Sequence, residues 1–278
     1  MGISRSTYYY RPKDNLAEKK RDADIADTIE KICYEHPYYG YRRVTASLKR
    51  KKMLVNHKKV LKIMKKMNIQ CRKRRRFAVT TNSKHSFKVY PNLAKDLVLN
   101  GTDKLWCADI TYIRILTGFV YLAAIIDAFS RKIVGYAIGG TLAAKLPLEA
   151  LKMAIRSRNT EDLIHHSDKG IQYCSYEYVD LLESHQIKIS MSATASPYEN
   201  ATIESFFRTL KVEEVYLWEY ETYRDVIERI PYFIEDVYNS KRLHSSLGYM
   251  PPEEFEKILE NRLFDNVKNS CKIYAKLR

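Results

Sequence analysis

Apolar and polar positions follow two different rhythms along the 278-residue chain. Up to residue 70 the rhythm is helical. In DADIADTIEKICYEH (22–36), Ile25, Ile29, Ile32 and Cys33 share one face, and Pro37 ends the run. A second helix is predicted over 41–52, with Val44 and Leu48 inward and Arg42, Arg43, Lys49, Arg50 and Lys51 mostly outward. Asn56 suits the N-cap of a third, HKKVLKIMKKMNI. There Val60, Ile63, Met64 and Met67 form the inner face, and Lys58, Lys59, Lys62, Lys65 and Lys66 cover the rest. Three short helices, the last lysine-rich, predict a small all-α helix-turn-helix-like domain over residues 21–70.

From residue 103 the rhythm becomes that of strands. KLWCADITYI (104–113) is strand-like, ILTG turns, and FVYLAAIID (119–127) is a continuous apolar run, as in a central strand buried on both faces. RKIVGYAIGG (131–140) reads as a third strand and PLEALKMAIRS (147–157) as a helix. DLIHHSD (162–168) reads as a strand, SYEYVDLLESHQI (175–187) as a helix and IKISMS (187–192) as a strand. The loop ATASPYEN leads to ATIESFFRTL (201–210), where Ile203, Phe206, Phe207 and Leu210 fall at i, i+3, i+4 and i+7. A further helical stretch, 222–239, is expected to kink or break at Pro231. The order β-β-β-α-β-α-β-α, with two hairpins and then helical crossovers, predicts an α/β fold: a mixed five-stranded sheet with flanking helices. That is the ribonuclease-H-like architecture. The organisation expected is a tail at 1–20, the helical domain at 21–70, a basic linker at 71–100, the core at 101–220 and a C-terminal helical extension at 221–278.

Composition narrows the function. With 45% hydrophobic residues a sizeable core is expected, no apolar run is long enough for a membrane span, and the start MGISRSTYYYRP does not read as a signal peptide. Five scattered cysteines without a CxxC pair suit a reduced cytosolic protein. Charge adds more. Residues 1–100 hold 26 Lys/Arg against 8 Asp/Glu, and the remainder holds 22 against 25, so a net of +18 is joined to a net of −3. A basic part beside a slightly acidic part points to a polyanionic partner, of which nucleic acid is the commonest in cytosol. The lysine-rich helix (Lys58, Lys59, Lys62) and CRKRRRF, with Arg72, Arg74, Arg75 and Arg76, are the candidate phosphate contacts.

Three acids stand at awkward points. Asp109 interrupts the first strand, where aspartate is disfavoured, on the face of Cys107 and Thr111. Asp168 ends the fourth strand before a Lys-Gly turn, and Glu204 borders the apolar face of the helix after the fifth. The topology makes strands one and four neighbours and lays that helix across the sheet, so the three converge. Three bare carboxylates resist joint ionisation, and an all-oxygen site suits Mg²⁺ or Mn²⁺. Two such ions about 3.5–4 Å apart serve in-line phosphoryl displacement. The geometric expectation is that the three lie within reach of a shared ion pair, or apart only by movement of the Glu204 helix.

WCADITYI, IIDAFSRKIVGY, HSDKGIQY, SMSATASPYENATIESFFRTLKVE and YNSKRLHSSLGYMPPEEF resemble, in order and spacing, the second-frame (orfB-type) transposases of the IS-three family of bacterial insertion sequences, kin to retroviral integrases. The resemblance covers residues 20–255, and 35 residues separate Asp168 from Glu204, the spacing of the D,D(35)E group. It implies that Asp109, Asp168 and Glu204 bind two Mg²⁺ or Mn²⁺. It implies 3′-end cleavage of the element's terminal inverted repeats and strand transfer into target DNA, by a homo-oligomer at least dimeric on DNA. It also implies a cytoplasmic, nucleoid-associated protein that works with an upstream-frame protein or as a fusion to it, the start GISRSTYYY resembling the tail of a recognition helix. Departures from the family pattern are Glu199 before Asn200-Ala201, Ala195-Ser196, and Lys169.

Other residues keep two readings. His166 either positions DNA or a hydroxide, or is a packed, hydrogen-bonded histidine. Asn200, Arg208 and Lys211 form a polar stripe with Glu204. Lys211 either holds a DNA phosphate or is a surface lysine, and Arg208 suits an i, i+4 pair with Glu204. Tyr238, Asn239, Arg242 and His244 either meet terminal DNA or, for Asn239, cap a helix. Asp127 reads as structural. Two rival functions are a same-fold metal-dependent nuclease that hydrolyses without joining, and a non-catalytic DNA-binding regulator.

Overall fold

A computed structural model describes residues 16–71, 88–192 and 200–261, with side chains described from residue 20. The chain divides into two compact units, residues 1–73 and 74–278.

In the first unit, α1 (Leu16–Glu35), α2 (Tyr41–Arg50) and α3 (His57–Lys66) pack through Ile25, Ile29, Ile32, Val44, Leu48, Val60 and Met64, all buried. Asn56 caps α3, its side chain accepting from the Lys58 N–H. Lys58, Lys62, Lys65 and Lys66 remain exposed on α3. Lys59 instead makes an ion pair with Asp22 of α1. Both side chains of that pair are partly exposed, so Lys59 stays on the outer side of α3 with a surface counterion.

In the second unit, β1 (Leu105–Ile115), β2 (Gly118–Asp127) and β3 (Ile133–Gly139) form antiparallel hairpins. β4 (Ile164–Ser167) and β5 (Lys188–Met191) add in parallel on the other side of β1, giving the order β3-β2-β1-β4-β5. This is the mixed ribonuclease-H-like sheet. Alternation along β1 sorts two cores. Leu105, Cys107, Ile113 and Ile115 face α6 (Ala201–Leu210) and α8 (Tyr223–Tyr232), while Trp106 and Ala108 face α4 (Lys145–Ser157) and α5 (Tyr176–Ser184). α4 approaches β3 so closely that a Cβ on Gly135 would stand 2.2 Å from the Ala150 carbonyl oxygen, so no larger residue fits.

Two departures from the expected elements have local causes. α6 does not stop at Leu210. It continues through a π-helical segment, Lys211–Val215, into a last turn, α7 (Tyr216–Trp218), ended by Glu219 at φ 42°. α8 likewise does not break at Pro231, but passes into π-helical geometry over Phe233–Asn239, where the register accommodates the missing proline N–H. Residues 90–93, expected within a linker, pack against the edge strand β5. The Met191 N–H donates to the Pro91 carbonyl (3.4 Å) and the Leu93 N–H to Ser190 Oγ (2.8 Å). An exposed strand edge needs such cover. A helix over 252–261 closes the described chain. Arg72, Arg74, Arg75, Arg76, the tail at 1–15 and the loop at 193–199 lie outside the described residues.

Candidate active site

β1 and β4 run side by side for only three pairs, Leu105↔Ile164, Trp106↔His165 and Cys107↔His166. Asp109 and Asp168 each stand two residues beyond the last pair. They are therefore level with one another, and by period two they share the face of Cys107, which α6 covers. The strands fork at this point, and Asn200 Nδ2 donates to the Ala108 carbonyl there (3.2 Å).

Asp109 is half-buried and its Oδ1 accepts the Ile110 N–H at 2.7 Å. Burial first, then the charge of Asp168, push its carboxyl up to about 7. Glu204 adds to the rise, and the Ile110 N–H and the Lys211 charge oppose it. Asp168 is also half-buried, and its Oδ1 accepts the Gly170 N–H at 2.8 Å. A Cβ on Gly170 would stand 2.8 Å from that same oxygen, closer than real Cβ contacts, so glycine is what permits this carboxylate pose. Glu204 lies exposed on α6, whose Ile203, Phe206, Phe207 and Leu210 are buried against the sheet. Among the described residues it makes no ion pair with Arg208 and no three Asp, Glu, His or Cys side chains form a ready metal-ligating group. Asp109 and Asp168 meet at the fork, while Glu204 reaches them through its field on Asp109. Three like charges have no reason to close together unaided.

Lys211, in the first π turn after α6, sets its Nζ 4.6 Å from the Tyr112 ring centroid. Burial lowers its pKa and the Asp109 charge raises it, so this cation belongs to the same neighbourhood. His166 is buried on the Asp168 face with Nδ1 2.8 Å from Ser190 Oγ, the packed, hydrogen-bonded alternative. Arg242 and His244 depart from the DNA contacts expected of them. Arg242 is 5% exposed and its guanidinium donates from Nε and Nη2 to both oxygens of Glu213 at 2.7 Å. His244 is buried with its ring 4.8 Å from that of Tyr238. Both side chains have internal partners where a DNA contact needs a free surface. Asn239 is no helix cap. Its side-chain amide pairs with both backbone groups of Ile133, each at 3.0 Å, and so clamps the start of β3.

Asp127 is structural. It is fully buried, accepting from Asp103 N (2.7 Å), Phe129 N (2.9 Å) and Ser130 N (2.8 Å). Nearby Arg158 ties Asp103 to Glu256 of the 252–261 helix. Two residues near the fork went unread in the sequence. Arg131, inside the quoted RKIVGY run, donates from Nη1 to Thr202 Oγ1 of α6 at 2.7 Å. Tyr173, inside HSDKGIQY, is buried with a hydroxyl that has no partner among the described residues, and it feels both Asp109 and Asp168.

A five-stranded sheet of this order, forked between two aspartates and crossed by a helix bearing a glutamate, defines the integrase-core class. The integrase core domain family matches residues 100–197 and again 185–252, and the HTH-like domain family matches 19–77. The chain belongs to the IS3 family of insertion-sequence transposases, of the InsF (orfB) type. It is 35% identical over 260 residues to the insertion element IS600 31 kDa protein of Shigella sonnei, spanning 92% of this chain and 96% of that one. It is 35% identical over 221 residues to Transposase InsF for insertion sequence IS3A of Escherichia coli K12, spanning 78% and 76%. The HTLV-2 integrase catalytic core domain in complex with magnesium aligns over 55% of this chain and 96% of its own, at 14% identity and a TM-score of 0.43. No described helix is long and apolar enough to cross a membrane.

Proposed function

We propose that this transposase cleaves the 3′ ends of its element's DNA and joins them to target DNA, with Asp109, Asp168 and Glu204 as the metal-binding catalytic carboxylates. The observation that carries the reading is the fork. The strand register sets Asp109 level with Asp168, and a carboxyl pushed up to about 7 by burial first and by the charges of Asp168 and Glu204 after it calls for a cation. The donor set is all oxygen, which fits Mg²⁺ or Mn²⁺, and when bound such ions supply charge neutralisation to a phosphoryl group in transfer.

The chain's own residues do the rest. The Ile110 N–H holds one oxygen of Asp109 and the Gly170 N–H one oxygen of Asp168, so both carboxylates arrive oriented. Lys211 stands beside Asp109 as a cation for a DNA phosphate. Asn200, bound to the Ala108 carbonyl, keeps a buried Oδ1 without a partner among the described residues beside the fork. The exposed Lys58 and Lys62 of α3 supply phosphate contacts in the first unit. The protein acts as an oligomer, at least a dimer, on paired element ends, either with the upstream-frame protein or fused to it.

The test uses element-end DNA with Mn²⁺ and purified protein. Asp109→Asn, Asp168→Asn and Glu204→Gln are each expected to abolish nicking of uncut ends and joining of pre-cut ends. Joining that persists in Asp168→Asn refutes the reading. Hydrolysis without any joining by the unaltered protein would instead make it a nuclease.

A further inference from the structure

We infer that Arg131 and Thr202 form a latch that sets the rotation of α6, and so are positioning residues for Glu204. The inference rests on the reading of Glu204 as a metal ligand. Arg131 sits in the tight turn between β2 and β3, and its Nη1 donates to Thr202 Oγ1 at 2.7 Å, across 71 residues of chain. Its backbone has φ 63°, the left-handed region that glycine enters freely and arginine does not. Its guanidinium has no carboxylate within ion-pair distance among the described residues, so charge pairing does not account for it. Its charge also reaches Cys107, two residues before Asp109 on the same sheet face.

The helix geometry gives this bond its purpose. At about 100° per residue, Ile203, Phe206, Phe207 and Leu210 span one buried face, Thr202 lies at one border of it and Asn200 with Glu204 at the other. The packed apolar face sets the depth and coarse rotation of the helix, and the fine rotation of its first turn is left to directional bonds at its borders. Two directional bonds at opposite borders, Arg131 to Thr202 and Asn200 to the Ala108 carbonyl, oppose rotation in both senses. The Glu204 N–H bonds to the Asn200 carbonyl at 3.2 Å, so the glutamate is carried by the same first turn. Releasing one grip lets Glu204 swing away from the aspartates while the core stays packed.

The experiment measures Mn²⁺ binding by calorimetry, strand transfer of pre-cut ends, and Tm. Thr202→Val removes the acceptor and keeps shape, Thr202→Ser keeps the acceptor, and Arg131→Gly removes the donor while relieving the backbone. Thr202→Val and Arg131→Gly are each expected to weaken Mn²⁺ binding and joining by roughly tenfold, the effect of losing one charge-assisted hydrogen bond. Tm should hold within a few degrees, on the order of one lost surface-side contact, and Thr202→Ser should behave as the unaltered protein. Normal Mn²⁺ binding in both variants overturns the latch. So does impaired joining in Arg131→Gly with full function in Thr202→Val, which would assign the guanidinium to DNA. Full joining by Glu204→Gln overturns the underlying reading of Glu204, whichever way the latch variants fall.

Discussion

Asp109→Asn should stabilise the metal-free protein at alkaline pH. The Asp109 carboxyl is raised from 3.8 to about 7, burial being the largest cause and the Asp168 charge the next. A folded-state pKa above the unfolded one means that the folded state binds the extra proton. Stability from this group is therefore complete below pH 4 and is lost as pH rises to about 7, after which the deficit is constant. About three units at 1.36 kcal/mol each set an upper bound of about 4 kcal/mol, and partial exposure trims it to roughly 2–4 kcal/mol. Asparagine carries no charge to desolvate and keeps an oxygen for the Ile110 N–H. For a unit of this size the gain corresponds to roughly 4–12 °C in Tm. Calorimetric melts in EDTA at pH 5, 6, 7 and 8.5 would measure it. The difference between the two proteins should grow with pH and be less than half as large at pH 5 as at 8.5. Adding Mn²⁺ should reverse the order, since only the carboxylate gains from the cation. A difference independent of pH, or a destabilised variant at pH 8.5, would refute the account of why this carboxyl is perturbed.

Other substitutions separate site from scaffold. Gly170→Ala should lower joining by roughly a hundredfold, as expected of a catalytic group displaced by about 1 Å, with Tm nearly unchanged, because the added Cβ meets Asp168 Oδ1 and not the core. Tyr173→Phe removes a buried hydroxyl without a partner and should stabilise by about 1–2 kcal/mol in urea melts. Asn239→Leu leaves the Ile133 N–H and carbonyl unpaired and should cost about 2–4 kcal/mol, seen as a lower denaturation midpoint with unchanged slope. Lys58→Ala with Lys62→Ala should lower DNA affinity for any sequence and reduce the slope of log K against log salt by about two, read by fluorescence anisotropy.

Strand positions were legible wherever burial on one or both faces leaves a periodic trace. β1 opens on an apolar run and alternates only past Asp109, β2 is apolar along most of its length, and both match their expected bounds closely. What escaped was pairing at long range. Arg242 reads in sequence as a basic residue in a polar stretch, and nothing nearby reveals that Glu213, 29 residues earlier, takes both ends of its guanidinium. Residues 90–93 carry the composition of a linker, and only the bare edge of β5 explains why they pack. Arg131 is the same case at the site. Its left-handed φ and its distant acceptor Thr202 leave no mark on hydropathy.

Of the three acids only Asp109 breaks a local rule, as an aspartate in a strand interior. Asp168 suits the turn it begins and Glu204 an ordinary polar stripe, so these two stand out in the sequence by the 35 residues between them. The fold explains why these positions and no others are open to such residues. β1 is eleven residues long and its parallel neighbour β4 only four, so their ladder ends after Cys107↔His166. Past that pair, β1 carries on beside β2 alone and β4 turns away through Gly170. The gap exposes Asp109 and Asp168 to each other without breaking the packed sheet behind them, where Trp106, Leu122 and Ile125 stay fully buried. A longer β4 would seal the fork with backbone hydrogen bonds, and a shorter β1 would lose Ile113 and Ile115, on which the α6 core rests. The mismatch in strand length is therefore what lets one sheet be both a hydrophobic core and the floor of an acidic site. α6 lies over β1 and β2 beside this fork, so the polar bonds at the two borders of its apolar face, from Thr202 and Asn200, flank the acidic site.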